Sequence, residues 1–284
     1  MIRFGPSGNS ESFYEQGYKS SVDMPAWLNE LGLNAYEYQC NRGVNLGKST
    51  AERIGTEALR NNIFLSIHAP YYVNMASPEE EKRTKSKRYI IETLTAAKWM
   101  GAKRIVVHMG SYSKVDRKWA VEIAKEGLAQ VIKEADQLGL NDITICPEIL
   151  GKNNQLGSLE EILYLCSSDE RLIPTVDFGH LHARGQGSLN SPEDYDCILD
   201  VIENSLGIER LTNLHCHFSR VEFTKGGEKK HWSMDDTIYG PEFSHLAQII
   251  YKRKMEPVII CESRNKMAED ALKMKKIYEE IKGC

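Results

Sequence analysis

Eight short apolar runs, each followed by a longer stretch carrying helical signals, recur along the chain without a linker-like or low-complexity break. No other feature restricts the fold as much. Runs of this length read as buried strands, and the spacing predicts them at 2–4, 35–39, 64–67, 104–107, 143–146, 172–176, 211–217 and 258–261. Helix starts fall between them. Asp23 with Pro25 opens a helix to about Gly32, Ser49 or Thr50 caps one to about Asn61, and Ser77-Pro78-Glu79-Glu80 reads as a capping box for one reaching Gly101. Further helices are expected over 117–139, after the box Ser158-Leu159-Glu160-Glu161, after Ser191-Pro192-Glu193-Asp194, over 241–253 and over 266–282. Strand–helix alternation implies a parallel sheet, and eight units in 284 residues fit one α/β domain, a (β/α)8 TIM barrel spanning 1–284. A doubly wound open sheet is the competitor. It calls for a glycine-rich phosphate loop after the first strand, and Gly5-Pro6-Ser7-Gly8 matches that poorly.

In such a barrel the C-terminal strand ends converge on one face. From the third strand to the eighth, every apolar run finishes at a residue type that binds metal: His68, His108, Glu148, Asp177, His217 and Glu262. One strand-end histidine is ordinary; six such residues in succession point to a common site. Three carboxylates sharing one mouth repel one another unless cations separate them. The stretch Asp177-Phe178-Gly179-His180 adds an imidazole three residues past a strand-end carboxylate, and Gly179 and Gly185 favour a loop there over a helix. Either the aspartate caps its own turn or the pair supplies two metal ligands. His231 follows the seventh strand in what reads as a loop. His215, two residues before His217, shares its face one layer deeper, His182 is a spare in the loop, and His245 falls on a helix surface.

Composition narrows the setting. Seven cysteines without a C-x-x-C pair argue against a disulfide framework. No apolar run reaches membrane-span length, and Met1-Ile2-Arg3-Phe4-Gly5 is not a signal peptide, so a cytoplasmic protein without membrane association is expected. The formal net charge of −4 does not suggest nucleic acid, yet carboxylates that hold metal would hide cationic character.

Taken together and in order, His68-Ala69-Pro70-Tyr71, Val107-His108-Met109-Gly110-Ser111, Pro147-Glu148, Asp177-Phe178-Gly179-His180, Cys216-His217, Lys230-His231 and Cys261-Glu262-Ser263 give the chain its family likeness. The sequence resembles the endonuclease IV family of apurinic/apyrimidinic endonucleases, within the xylose-isomerase-like barrel superfamily, over essentially its whole length. The resemblance implies a zinc-dependent phosphodiesterase of base excision repair that cuts duplex DNA 5′ to an abasic site. It implies two or three Zn2+, with Mn2+ as the substitute. His68, His108 and Glu148 would hold one ion; Glu148, Asp177, His217 and Glu262 the second; His180 and His231 the third. Glu148 and Glu262 are the candidate catalytic carboxylates. The family's aspartate two residues before the last histidine is Lys229 here, and Glu228 is the candidate replacement. Tyr71 and Tyr72, with Arg42, match the family's DNA-inserting loops. Basic runs at Lys82, Arg83, Lys85, Lys87 and Arg88, and at Lys225, Lys229 and Lys230, read as solvated faces or phosphate contacts. A monomer with no obligate protein partner is expected.

Two other readings compete. A sugar isomerase or epimerase of the superfamily would need one divalent ion, for which Glu148, Asp177, His217 and Glu262 suffice. The surplus of His68, His108, His180 and His231 favours the multinuclear site over that reading. A metal-binding scaffold without activity fits least, because every ligand position but the one at Lys229 is filled.

Overall fold

A computed structural model of the chain describes residues 1–112 and 114–283. The elements run β1 (Arg3–Pro6), α1 (Glu11–Glu15), a 3-10 turn over Ser21–Asp23, α2 (Met24–Glu30), β2 (Ala35–Gln39), α3 (Lys48–Arg60), β3 (Phe64–His68), α4 (Glu80–Met100), β4 (Arg104–Val107) and α5 (Arg117–Gln137). They continue through β5 (Thr144–Pro147), α6 (Leu159–Cys166), β6 (Thr175–Asp177), α7 (Phe178–Arg184), α8 (Pro192–Leu206), α9 (Ile208–Thr212) and β7 (His215–Phe218). The last part comprises β8 (Arg220–Thr224), β9 (Gly227–Trp232), α10 (Phe243–Lys252), β10 (Val258–Cys261) and α11 (Met267–Gly283).

Strands β2-β3-β4-β5 and β6-β7-β10-β1 form two four-stranded parallel sheets. Parallel bridges Ser7↔Glu37 and Glu148↔Thr175 join them at both seams. The result is a closed eight-stranded barrel, as the alternation predicts, with its helices outside. Closure at the first seam needs Gly5, whose missing side chain lets Ala35 of β2 pass against β1. Side chains alternate along each strand, so stepping back by two from the mouth gives the interior layers. Glu37, Ser66 and His215 lie one layer below Gln39, His68 and His217, while Ala35, Val258 and Ile260, with Phe64 against them, make a small apolar cluster. Odd-man residues such as Cys216 and Phe218 face outward into the large core between strands and helices. The six described cysteines are free, five of them buried. No helix among the described residues is long and apolar enough to cross a membrane.

Several expected boundaries move, each for a local reason. The Ser158 and Ser191 capping boxes form as read. The Ser77 box does not: Ser77 Oγ instead accepts from Glu79 N at 3.2 Å, and α4 begins at Glu80. Helix α3 starts at Lys48 behind Gly47, so neither Ser49 nor Thr50 is its cap. Residues 208–212 coil into α9, which delays β7 to His215. The segment after Asp177 is a short helix, α7, not a loop. Asp177 Oδ1 accepts from His180 N at 2.8 Å and nucleates that turn, while Gly179 sits where a side chain would strike Val221 and Ser219. His231 lies on a strand, because 220–232 folds into the antiparallel hairpin β8–β9. His245 is half-buried, its ring 6.3 Å from that of Tyr195, and is not a surface residue.

Candidate metal centre

The strand ends bring the predicted residues to one place. Among the described residues, four groups of potential ligand atoms each lie within 4.8 Å of one another; three stand at the mouth, His68, His108 and Glu148; Glu148, Asp177, His217 and Glu262; and His180, Glu228 and His231, while the fourth, Glu37, His215 and His217, lies one layer deeper and shares His217. Glu148, fully buried at the end of β5, belongs to the first two. Its Oε2 lies 3.1 Å from His68 Nε2 and 2.9 Å from His108 Nε2. Its Oε1 faces the other way, 3.3 Å from His217 Nδ1 and 3.6 Å from His180 Nδ1. Glu262 Oε1 approaches His217 Nδ1 at 3.3 Å and accepts from Ser7 Oγ at 3.2 Å.

The imidazoles are oriented from behind. His68 Nδ1 is tied to Ala69 O at 2.8 Å, His180 Nδ1 to Ile149 O at 2.9 Å, and His231 Nδ1 to Ser219 Oγ at 2.8 Å. Each contact leaves Nε2 free to face a carboxylate. For His217 the order is reversed: Nε2 lies 3.0 Å from Glu37 Oε1 as a charge pair without hydrogen-bond alignment, and Nδ1 faces Glu148 and Glu262. Fixing one ring nitrogen so that the other can ligate is the usual support of a metal-bound histidine. Glu148 Oε1, Asp177 Oδ2 and His217 Nδ1 are buried without a hydrogen-bond partner. Unpaired buried polar atoms are costly. These three belong to one group, and a divalent cation with nitrogen and oxygen ligands would satisfy them.

Charge is unevenly held in this cluster. Burial opposes the imidazolium of His68, but Glu148 outweighs it and raises the pKa to about 9. Burial likewise opposes that of His180, and Asp177 and Glu148 raise it to about 9. For Glu148, burial works against the carboxylate, yet His108 and His217 hold it well below the usual range. Burial pushes Asp177 up.

The third group answers the question posed by Lys229. In β9 a bulge opposite Glu222 and Phe223 pairs Lys230 with Glu222 and Glu228 with Phe223, leaving Lys229 as the extra residue. An extra residue restores the facing of positions three apart, so Glu228 and His231 point to the same side. Glu228 Oε1 is 3.7 Å from His231 Nε2, and its Oε2 is 3.8 Å from His180 Nε2. Lys229 turns away and pairs with Glu222 at 2.5 Å. The hairpin is held over the site by Glu228 N donating to Gly151 O at 3.0 Å.

Other predicted residues fall outside the cluster. His182 is buried on α7 and its Nδ1 accepts from Leu189 N at 3.2 Å, so it fastens the following loop and supports no group. Tyr71 and Tyr72 stand exposed beside the mouth, 50% and 47% accessible, with ring centroids 4.4 Å apart; Arg42 is also exposed. Much of the first basic run is neutralised within its own helix by Lys82–Glu79, Lys85–Glu81 and Arg88–Glu92. Lys230 lies over the Trp232 ring at 3.5 Å.

Glu37 is a site residue absent from the strand-end pattern. It is fully buried on β2, accepting from Ser66 Oγ at 2.8 Å and lying 2.9 Å from His215 Nε2 and 3.0 Å from His217 Nε2. Burial disfavours its charge, but His217 and His215 hold its pKa below the ordinary value. The pattern Ala35-Tyr36-Glu37-Tyr38 did carry a signal: a lone carboxylate at an inward position of a barrel strand.

Comparison with known proteins places the chain. Residues 25–280 match the family described as xylose isomerase-like TIM barrel. An uncharacterized protein of Methanocaldococcus jannaschii is 31% identical over 99% of this chain and 98% of its own length. The probable endonuclease 4 of Carboxydothermus hydrogenoformans is 29% identical over 76% of each. Among solved structures, endonuclease IV from Thermus thermophilus superposes with a TM-score of 0.71 at 21% identity, covering 94% of this chain and 96% of its own. D-Psicose 3-epimerase from Clostridium cellulolyticum gives 0.67 at 14% identity, covering 94% and 95%. These structural likenesses speak to the fold, which a nuclease and an epimerase share.

Proposed function

The chain belongs to the xylose isomerase-like TIM barrel family and is endonuclease IV-like, and from that premise we propose that it is a metal-dependent phosphodiesterase acting on duplex DNA at abasic sites. The observation that carries this reading is the pair of extra groups flanking the four-residue one. A sugar isomerase would use Glu148, Asp177, His217 and Glu262 with one ion, and would leave His68–His108 and His180–Glu228–His231 without a purpose.

In this reading Glu148 would serve as a ligand to both of the first two ions, since its oxygens face opposite ways. Glu262, steadied by Ser7, completes the second, and Glu228 takes the place of the family's aspartate at the third. Divalent ions, when bound, supply the Lewis acidity that activates water at neutral pH and steadies charge on the phosphate. The protein's part is to hold the ions apart on a rigid strand-end frame and to offer Tyr71 and Tyr72 to the gap in the base stack. We place the protein in base excision repair, with zinc as the expected metal and the whole chain as one barrel domain.

The test is metal analysis of purified protein alongside nicking of a duplex with one abasic site, with an intact duplex as control. About three equivalents and cleavage only of the abasic duplex are expected. A single equivalent, with ketose interconversion and no cleavage, would assign the epimerase reading instead.

A further inference from the structure

Beneath the hairpin, a cavity of about 390 Å³ opens onto the cluster and is lined by His68, His108, His180, Glu228, His231 and Glu262. It has one lysine or arginine in its lining, Lys152, in the loop between β5 and α6. The backbone of that lysine is held on several sides. Lys152 N donates to Gln155 Oε1 at 3.3 Å, while Lys152 O accepts from Arg184 at 3.0 Å and from Gln155 N at 3.0 Å. An antiparallel bridge to Gly227 ties the same residue to the hairpin. Arg184 is spent entirely on this loop, donating to Leu150 O, Lys152 O and Gln155 O. The adjoining Gly151 is packed so closely that a side chain there would strike Glu228 and His180.

With its backbone so fixed, Lys152 is exposed, and its ammonium makes no ion pair or hydrogen bond among the described residues. Two lysines of the hairpin differ: Lys229 is paired with Glu222 and Lys230 is seated on Trp232. A lysine that only adds solubility needs none of this anchoring. We propose that Lys152 is a specificity-determining residue that contacts an anionic oxygen of the substrate's phosphodiester backbone and seats that strand over the metal cluster. This rests on the phosphodiesterase reading and deepens it: the cavity selects for an anionic substrate and against a neutral sugar. An ammonium is a compact, rotatable donor suited to a phosphate oxygen, with no preference among bases.

The test uses full-length, metal-loaded protein and a duplex with one abasic site, assayed across a series of salt concentrations. K152Q should raise KM about tenfold and lower the slope of log KM against log salt by about 1, as for loss of one phosphate contact. K152E should do more, and K152R should restore both. Metal content and thermal unfolding should match wild type in all three, which separates a lost contact from a disturbed loop. If wild type cleaves but K152Q keeps the wild-type KM and salt slope, the role of Lys152 is refuted while the phosphodiesterase reading stands. If wild type cleaves no abasic duplex at any salt, that reading falls and the proposal with it.

Discussion

Glu37→Gln tests whether the layer beneath the cluster sets metal affinity. In the structure both carboxylate oxygens are acceptors: Oε2 takes Ser66 Oγ at 2.8 Å and faces His215 Nε2 at 2.9 Å, and Oε1 faces His217 Nε2 at 3.0 Å. An amide cannot reproduce that pattern, because one of the two positions becomes an NH2 donor. If the NH2 faces His217, that ring keeps its proton on Nδ1, the nitrogen aimed at Glu148 and Glu262, and ligation is blocked. If it faces Ser66 and His215, the serine hydroxyl must turn to accept and His215 must change tautomer, and His217 loses the charge behind it. Loss of such a supporting partner costs about 10- to 100-fold in metal affinity, or about 1.4–2.8 kcal/mol at 1.4 kcal/mol per tenfold. The assay is competition against a chromophoric chelator, with total metal measured on the same sample and circular dichroism to confirm folding. His217→Ala should remove the same ion outright. A folded Glu37→Gln protein that binds every ion within threefold of wild type would refute the reasoning.

Two further outcomes follow from the cluster. Glu228→Ala should lower metal content by about one equivalent, while deletion of Lys229, which sets Glu228 two residues before His231 without a bulge, should keep it; equal loss from both would show that Glu228 is not a ligand. Metal affinity should also climb with pH. His68 and His180 have pKa values raised to about 9 without metal, so both are protonated at pH 7 and must release protons to ligate. Apparent affinity should therefore rise by about tenfold per pH unit for each proton displaced, up to pH 9, and level off above it. Proton release measured by calorimetry in buffers of different ionisation heat checks this; a flat profile from pH 7 to 9 would show that these histidines are not ligands.

The barrel and the residues of its mouth can be read along the chain alone. Alternation of apolar runs with helical stretches is a local property, and a strand exposes its last inward residue whatever lies beside it. His68, His108, Glu148, Asp177, His217 and Glu262 were therefore legible one strand at a time. What sequence could not give was everything that depends on a second element. The helix at Phe178–Arg184 contradicts local propensity around Gly179, because Asp177 caps it and the hairpin packs onto that glycine. The side to which Glu228 points depends on a bulge whose register is set by the partner strand β8. Glu37 shows in its own strand only as an inward carboxylate, and its partners are set by barrel closure, which brings His215 and His217 to it from 178 and 180 residues away. Lys152 resembles any other loop lysine until Arg184 and the hairpin hold it at the mouth. Strand periodicity is fixed by covalent geometry along the chain, whereas bulge register, supporting contacts and unpaired charges are relations between segments, which only the folded chain brings together.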